Sequence, residues 1–267
     1  MSERIDVGDR TLHAVRRGTG EPLLLIQGMS GTHASWGEAF LSALDPAFEH
    51  VSYDHRGIGR SDPAPEPFSI GDLADDALAL MDAAGMDRAH VMGISMGGMV
   101  AQELVLRAPD RVSSLTLGCT YSGGDGSAMA GPETIQKLSA GMMSGDRELA
   151  IRTGYELNVS PGFAADDANW AAFYEMATGT PASIATIMLQ MQAIGVHDTL
   201  ERLSSVAAPT LVVHGDADEM LPVSNAHLIA GAIPDARVEI LEGVGHMFWW
   251  ERPEESAALL REHALGG

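Results

Sequence analysis

The chain reads Ala89-His90-Val91-Met92-Gly93-Ile94-Ser95-Met96-Gly97 at the point that decides its fold: an apolar run passes into a Gly-x-Ser-x-Gly sequence, and a helical pattern follows. Small residues on both sides of the serine allow a sharp turn between a strand and a helix, which presents the serine hydroxyl at the edge of the sheet. A hydroxyl in such a place becomes a nucleophile when a neighbouring base takes its proton. Because a chain with 30 glycines matches this short motif easily by chance, the interpretation depends on the rest of the sequence.

The composition indicates a globular protein with one substantial core. The 267 residues are 45% hydrophobic and 20% charged, which disfavours disorder. The formal net charge is −21, from 37 acidic and 16 basic residues. Since such a surface repels phosphate groups, we expect neither nucleic acid nor an anionic membrane as a partner. The sequence leaves the oligomeric state open.

Cysteine content and the first residues bear on the compartment. The single cysteine, Cys119, excludes an internal disulfide, and its place at the end of an apolar run predicts a buried thiol. The start, Met1-Ser2-Glu3-Arg4-Ile5-Asp6, lacks the apolar segment of a signal peptide. No stretch is long and apolar enough to span a bilayer. We therefore expect a soluble, cytoplasmic protein.

Short apolar runs alternate with helical patterns along most of the chain. The first two runs, 10–15 and 22–27, are predicted to form a hairpin through the turn residues between them. Further strands are predicted at 48–53, 89–92, 111–119, 210–214 and 237–241, and helices at 70–85, 223–232 and 253–264, with one more directly after Ser95. This alternation predicts an α/β fold, with a mostly parallel sheet and helices on both faces.

One segment interrupts the alternation. From 132 to 203 the pattern is helical, without a convincing strand, and the strand pattern resumes at 210. The sequence therefore predicts a core domain formed by 1–121 and 206–267, and a helical lid (cap) inserted at 122–205. Substrate pockets are lined mainly by apolar and aromatic side chains. The pocket candidates in the lid are Trp170, Tyr174, Met142 and Met188.

Three residues of catalytic type follow predicted strands. Ser95 ends one strand, Gly215-Asp216-Ala217-Asp218 follows 210–214, and Gly245-His246 follows 237–241. In open α/β sheets, ligands bind outside the carboxyl ends of the strands. The order serine, aspartate, histidine also differs from the orders of the two major serine-protease families. The sequence therefore predicts an active site at this edge of the sheet.

Five motifs give the chain its resemblance to a known family. They are the Ser95 turn, Gln27-Gly28-Met29-Ser30, Tyr53-Asp54-His55-Arg56-Gly57-Ile58-Gly59-Arg60-Ser61, Gly215-Asp216-Ala217-Asp218 with Pro222, and Gly245-His246. With them the chain resembles the α/β-hydrolase superfamily over almost its whole length. Within it, the chain looks most like the small lidded esterases, enol-lactonases and cofactor-free haloperoxidases or perhydrolases. The motifs are specific for the superfamily and only weakly specific for a substrate.

The resemblance implies a catalytic triad. Ser95 would be the nucleophile and His246 the general base, later the general acid for the leaving group. The family pattern of Gly-x-x-Asp followed by proline favours Asp218 over Asp216 as the third member. Asp216 is then a turn residue, and His214 is interpreted as a structural histidine.

The resemblance also implies an oxyanion hole and a bracing loop. The hole would be formed by the backbone amides of Met96, at the start of a helix, and Met29, in the loop after 22–27. Gln27 stands where relatives usually carry histidine, and this changes the polar support of the loop. The segment 54–61 resembles a loop that braces the site rather than one that reacts.

Hydrolysis of a small, hydrophobic carboxylic ester or lactone through an acyl-enzyme is the function that these features favour. Perhydrolase or haloperoxidase activity and carbon–carbon bond hydrolysis would use the same triad. A non-catalytic ligand receptor is the alternative from a different class. No cofactor is implied, and no histidine or cysteine cluster has convincing metal-ligand spacing.

Overall fold

Eight strands form one sheet in the computed structural model, which describes residues 1–180 and 182–266. The strands are Ser2–Asp6 (β1), Thr11–Gly18 (β2), Glu21–Ile26 (β3), Phe48–Tyr53 (β4), Ala89–Ile94 (β5), Val112–Gly118 (β6), Thr210–Gly215 (β7) and Ala236–Leu241 (β8). Their order across the sheet is β1-β2-β4-β3-β5-β6-β7-β8. The pairs β1–β2 and β2–β4 are antiparallel, and all the others are parallel. The mostly parallel sheet predicted from the sequence is confirmed.

The predicted hairpin between 10–15 and 22–27 is wrong. Strand β4 lies between the two, with Ala14 of β2 opposite Tyr53 and Leu24 of β3 opposite Val51. Strand β2 forms its hairpin with β1 instead, an edge strand whose polar and charged residues hid it from a search for apolar runs. Because β3 is apolar throughout its second half, it occupies a central position where both of its faces are covered.

Helices cover both faces of the sheet. In strand β3, Leu24 and Ile26 join the core cluster of Leu73 and Leu104, while Leu23 and Leu25 join the cluster of Phe40 on the other face. The helices that alternate with the strands are Glu38–Leu44 (α1), Ile70–Ala83 (α2), Met96–Arg107 (α3), Ser224–Ala232 (α9), Phe248–Glu251 (α10) and Pro253–Leu265 (α11). Three short 3-10 helices lie at His33–Trp36, Pro109–Arg111 and Leu200–Ser205.

The described residues between β6 and β7 form five further helices. They are Pro132–Met143 (α4), Arg147–Asn158 (α5), Pro161–Ala164 (α6), Asp167–Gly179 (α7) and Ile184–Gly195 (α8), and we call them together the helical insertion. Its described residues contain no strand. Within the described ranges, none of the helices has the length and apolarity that a membrane crossing requires.

The sharp turn between β5 and α3 requires a glycine at position 97, and this can be tested by substitution. A Cβ atom on Gly97 would overlap the backbone carbonyl oxygen of Ile26, whereas one on Gly154, inside α5, would meet nothing within 4 Å. Gly97→Ala should therefore lower the free energy of unfolding by about 1–3 kcal/mol, because the added methyl group overlaps the backbone. Gly154→Ala, the matched control, should gain about 0.5–1 kcal/mol because alanine favours a helix interior. Guanidinium denaturation of both variants measures the difference, and equal stability would contradict this packing.

Candidate active site

Ser95 lies at the sharp turn between β5 and α3. It has φ 52° and ψ −124°, a strained conformation for a residue with a side chain. Its N–H donates to the Gly118 carbonyl (2.9 Å), and its carbonyl accepts from the Thr120 hydroxyl (2.6 Å). A Cβ on Gly93 would overlap the carbonyl of Gly97, so both flanking glycines are required for the turn. The backbone of Ser95 is thereby held in place on both sides of the turn.

Asp218 and His246 form a buried ion pair at the ends of β7 and β8. The Nδ1 atom of His246 donates to Oδ2 of Asp218 at 2.7 Å. The other carboxylate oxygen accepts from the backbone amides of Met220 (2.8 Å) and Leu221 (2.9 Å). Because the second oxygen is fixed by the backbone, the first is aimed at the imidazole.

Asp216 has a different environment. Its carboxylate accepts from the backbone amide of Gly243 at 2.7 Å and lies at an exposed turn. Of the two aspartates that compete in the sequence, the structure therefore places Asp218 against His246 and Asp216 against the backbone of the next loop.

His214, which the sequence suggested was only structural, also contacts this pair. Its Nε2 atom lies 3.1 Å from Oδ2 of Asp218 and 2.8 Å from the Leu221 carbonyl oxygen, and the ring is fully buried. The signal for this contact was its place at the end of β7, four residues before Asp218. Two imidazoles therefore share one oxygen of the carboxylate.

Mutual attraction in this network outweighs the cost of burial. Burial disfavours the charged forms, but His246 and His214 hold the pKa of Asp218 well below its ordinary range. Burial opposes protonation of His246 as well, yet the Asp218 carboxylate raises the pKa of its imidazole well above the ordinary value. Asp218 is therefore a carboxylate that stabilises an imidazolium at position 246.

Cys119 has a relation to His246 that the sequence did not reveal. The prediction of a buried thiol is confirmed, since its side chain is fully buried, and burial raises its pKa. After the Asp218 carboxylate, the Cys119 side chain is a further cause of the raised pKa of His246, and the Cys119 backbone has a φ of 38°. Among the described residues, none forms a hydrogen bond with the Ser95 hydroxyl. In free enzymes such catalytic contacts are often long, and they shorten when a substrate binds.

Two backbone amides beside Ser95 have no acceptor among residues 1–180 and 182–266. They belong to Met96, the first residue of α3, and Met29, in the loop after β3. Loop and serine are in close contact, because a Cβ on Gly28 would lie 3.1 Å from Cβ and 3.6 Å from Oγ of Ser95. The oxyanion hole that the sequence predicts at these two amides stays a prediction. Gln27 supports the loop directly, since its Oε1 atom accepts from the Gly28 amide at 2.8 Å.

The loop that follows is braced by a buried aspartate. Asp54 accepts from the backbone amides of His33 (2.7 Å) and Arg60 (3.0 Å) and contacts Nδ1 of His33 (2.8 Å). With His13, whose Nδ1 atom is 3.2 Å from Oδ2 of Asp54, these side chains form a group with the spacing of metal ligands. Because backbone amides already occupy both carboxylate oxygens, we assign the group to holding the loop.

The candidate pocket residues divide into two pairs. Trp170 and Tyr174 are half-buried in an aromatic cluster of the helical insertion, with ring centroids 5.2 Å apart. Met142 and Met188 are instead 57% and 55% exposed.

A cavity of about 500 Å³ lies between helices α4 and α5 and Glu219, which follows Asp218. It is lined by Lys137, Ala140, Gly141, Leu149, Thr153, Glu156, Leu157 and Glu219.

A sequence model described as alpha/beta hydrolase fold matches residues 21–253. The chain belongs to this family. It is an enzyme of the hydrolase type, and the predicted family and fold class are confirmed. A protein of Azorhizobium caulinodans named carbamate hydrolase RutD is 31% identical over 245 residues, which cover 90% of each chain.

Two solved structures are also similar to this chain in sequence and fold. Est816, described as an N-acyl homoserine lactone degrading enzyme, is 29% identical with a TM-score of 0.78, covering 97% of this chain and 99% of its own. A protein of Mycobacterium tuberculosis H37Rv named non-heme bromoperoxidase BpoC is 27% identical with a TM-score of 0.80, covering 96% of each chain. The family therefore includes relatives named for different reactions, and the substrate has to be argued separately.

The ion pair predicts the titration of His246. Its imidazole should titrate above the ordinary value of about 6.5, because the Asp218 carboxylate favours the charged ring. Asp218→Asn removes that charge and should lower the pKa of His246, while Asp216→Asn should leave it unchanged. Imidazole NMR signals recorded against pH measure this, and a wild-type His246 that titrates below about 6.5 would contradict the assigned network.

Proposed function

We propose that the chain is a serine hydrolase that cleaves small carboxylic esters or lactones through an acyl-enzyme. The 2.7 Å contact between Asp218 and His246, at the same edge of the sheet as Ser95, carries this proposal. A buried carboxylate holds an imidazole at the edge of the sheet that also carries the half-buried Ser95, and these are the three groups that together make a serine hydroxyl reactive. The order of the three residues along the chain fits the family to which the chain belongs.

The reaction then follows in two stages. The Ser95 hydroxyl attacks the carbonyl carbon, and Nε2 of His246 takes its proton while Asp218 stabilises the imidazolium. The free amides of Met29 and Met96 would bind the oxyanion that forms. His246 returns the proton to the leaving oxygen, and the acyl group stays on Ser95. Water, activated by the same histidine, then releases the acid.

The substrate class rests on the helical insertion and on one relative. We propose that 122–205 is the lid and that Trp170 and Tyr174 form part of the apolar pocket wall, since both belong to its aromatic cluster. Met142 and Met188 are exposed enough to belong only to an outer rim. Est816, which degrades a lactone, supports a lactone or small ester over a large substrate.

Perhydrolysis is the second candidate. The relatives include a protein named non-heme bromoperoxidase, and Met29 and Met96 lie beside the proposed nucleophile. In this reaction hydrogen peroxide, instead of water, attacks the acyl-enzyme, and the acyl group is released as a peracid. Product analysis with and without added peroxide separates the two outcomes, because hydrolysis yields only the carboxylic acid.

A fluorophosphonate probe tests the nucleophile. The wild type should form one covalent adduct, located by mass spectrometry on the peptide that contains Ser95, and Ser95→Ala should form none. The labelling rate should rise with pH, because the raised pKa of His246 keeps the base protonated at low pH.

Two aspartate variants provide the matched control for this test. Asp218→Asn should be labelled slower by about 10⁴-fold, as expected when the histidine loses its orienting carboxylate. Asp216→Asn changes only the turn contact to Gly243 and should react within about threefold of the wild type. An unlabelled Ser95 in the folded wild type, or equal rates in the two variants, would overturn the proposed triad.

A further inference from the structure

We propose that Gln190, in helix α8 of the helical insertion, is a positioning residue for the oxyanion hole, an inference that rests on the proposed function. Its Oε1 atom accepts a hydrogen bond from the backbone amide of Ser30 at 2.9 Å. The two residues are 160 positions apart in the chain, and the Gln190 side chain is completely buried. This contact therefore connects the insertion directly to the loop after β3.

The contact acts on a strained residue. Ser30 has a φ of 60°, in the left-handed region that costs a residue with a side chain free energy. Such a conformation persists only where the surroundings fix it. The N–H of Ser30 points to an acceptor that the loop itself does not supply, so a change at Gln190 should release the strain.

Two glutamines fix the amides on either side of the proposed donor. Gln27 accepts from the amide of Gly28 and Gln190 accepts from that of Ser30, while the amide of Met29 between them stays without an acceptor in the described part of the chain. With both neighbouring peptide groups held, the direction of the Met29 N–H is determined. An oxyanion donor works only when it is aimed before the reaction begins.

The position of Gln190 follows from how α8 packs. Thr186, Gln190 and Ala193 are the buried residues of this helix, and their spacing places them on one face. Thr186 approaches the loop after β4, where a Cβ on Gly57 would lie 2.8 Å from its methyl carbon. Because these residues pack α8 against the core, Oε1 of Gln190 reaches the Ser30 amide only while the helix keeps this position.

The test compares Gln190→Met with Gln192→Met. Methionine has nearly the same length as glutamine but no amide oxygen, and Gln192 is an exposed residue of the same helix. Gln190→Met should lower kcat for a small ester by about 10- to 100-fold, as expected for a misaimed donor, with KM changed less than about twofold. Gln192→Met should match the wild type in both.

A trifluoromethyl ketone distinguishes positioning from general destabilisation. It adds to the active serine as a tetrahedral oxyanion, so its affinity should fall in Gln190→Met by the same factor as kcat. Amide exchange followed by NMR should show faster exchange of the Ser30 amide by at least about tenfold in Gln190→Met, because it has lost its acceptor. Gln190→Glu keeps an acceptor oxygen, and it should keep the Ser30 amide protected even if the methionine variant does not fold.

Failure of this inference can be told from failure of the proposed function. A wild type without a Ser95 adduct would refute the hydrolase mechanism, and exchange of the Ser30 amide would still test the contact. Unchanged ketone affinity together with unchanged Ser30 exchange in Gln190→Met would overturn the positioning role. Faster exchange of the Ser30 amide in Gln190→Met with constant kcat and constant ketone affinity would also overturn the positioning role.

Discussion

The close approach of helix α3 to the end of strand β3 is the constraint on which the site depends. The first turn of α3 passes so near the carbonyl oxygens of Ile26 and Gln27 that only a glycine fits at position 97. This approach brings the turn at Ser95 against Gly28 and leaves the amides of Met29 and Met96 free beside it. A residue with a side chain at position 97 would push the Ser95 turn away from the end of β3 and from the loop that carries the amide of Met29.

Two buried carboxylates then hold the histidine side of the site. Asp218 is satisfied by backbone amides on one oxygen and by His246 and His214 on the other. Glu251 accepts from the amides of Gly245 (2.8 Å) and Ser160 (2.9 Å), and so joins the His246 loop to the helical insertion. Since Gln190 joins the same insertion to the Ser30 loop, both halves of the site depend on how the insertion is seated.

Sequence patterns predicted the parts of the structure that rest on local signals. The Ser95 turn, the apolar central strands and the carboxyl ends that carry Asp218 and His246 were all visible, because glycine spacing and buried strands leave strong patterns. The edge strand β1 was missed since its charged residues lack such a pattern, and the hairpin was wrong because pairing is decided by the whole sheet. The hydrogen bond of Gln190 and the effect of Cys119 on His246 join segments far apart in the chain, which no local pattern records. His214 lies only four residues before Asp218, and its place near the end of β7 was the local signal for that contact.

We propose that Ser95, and no other group, carries the acyl intermediate. The direct measurement is to mix the protein with an activated ester, quench with acid within the first turnover, and locate the added acyl mass by peptide mass spectrometry. We expect the acyl group on the peptide that contains Ser95, and none in Ser95→Ala. An acyl group found on Cys119, the thiol that contributes to the raised pKa of His246, or rapid turnover without a covalent intermediate would contradict this proposal.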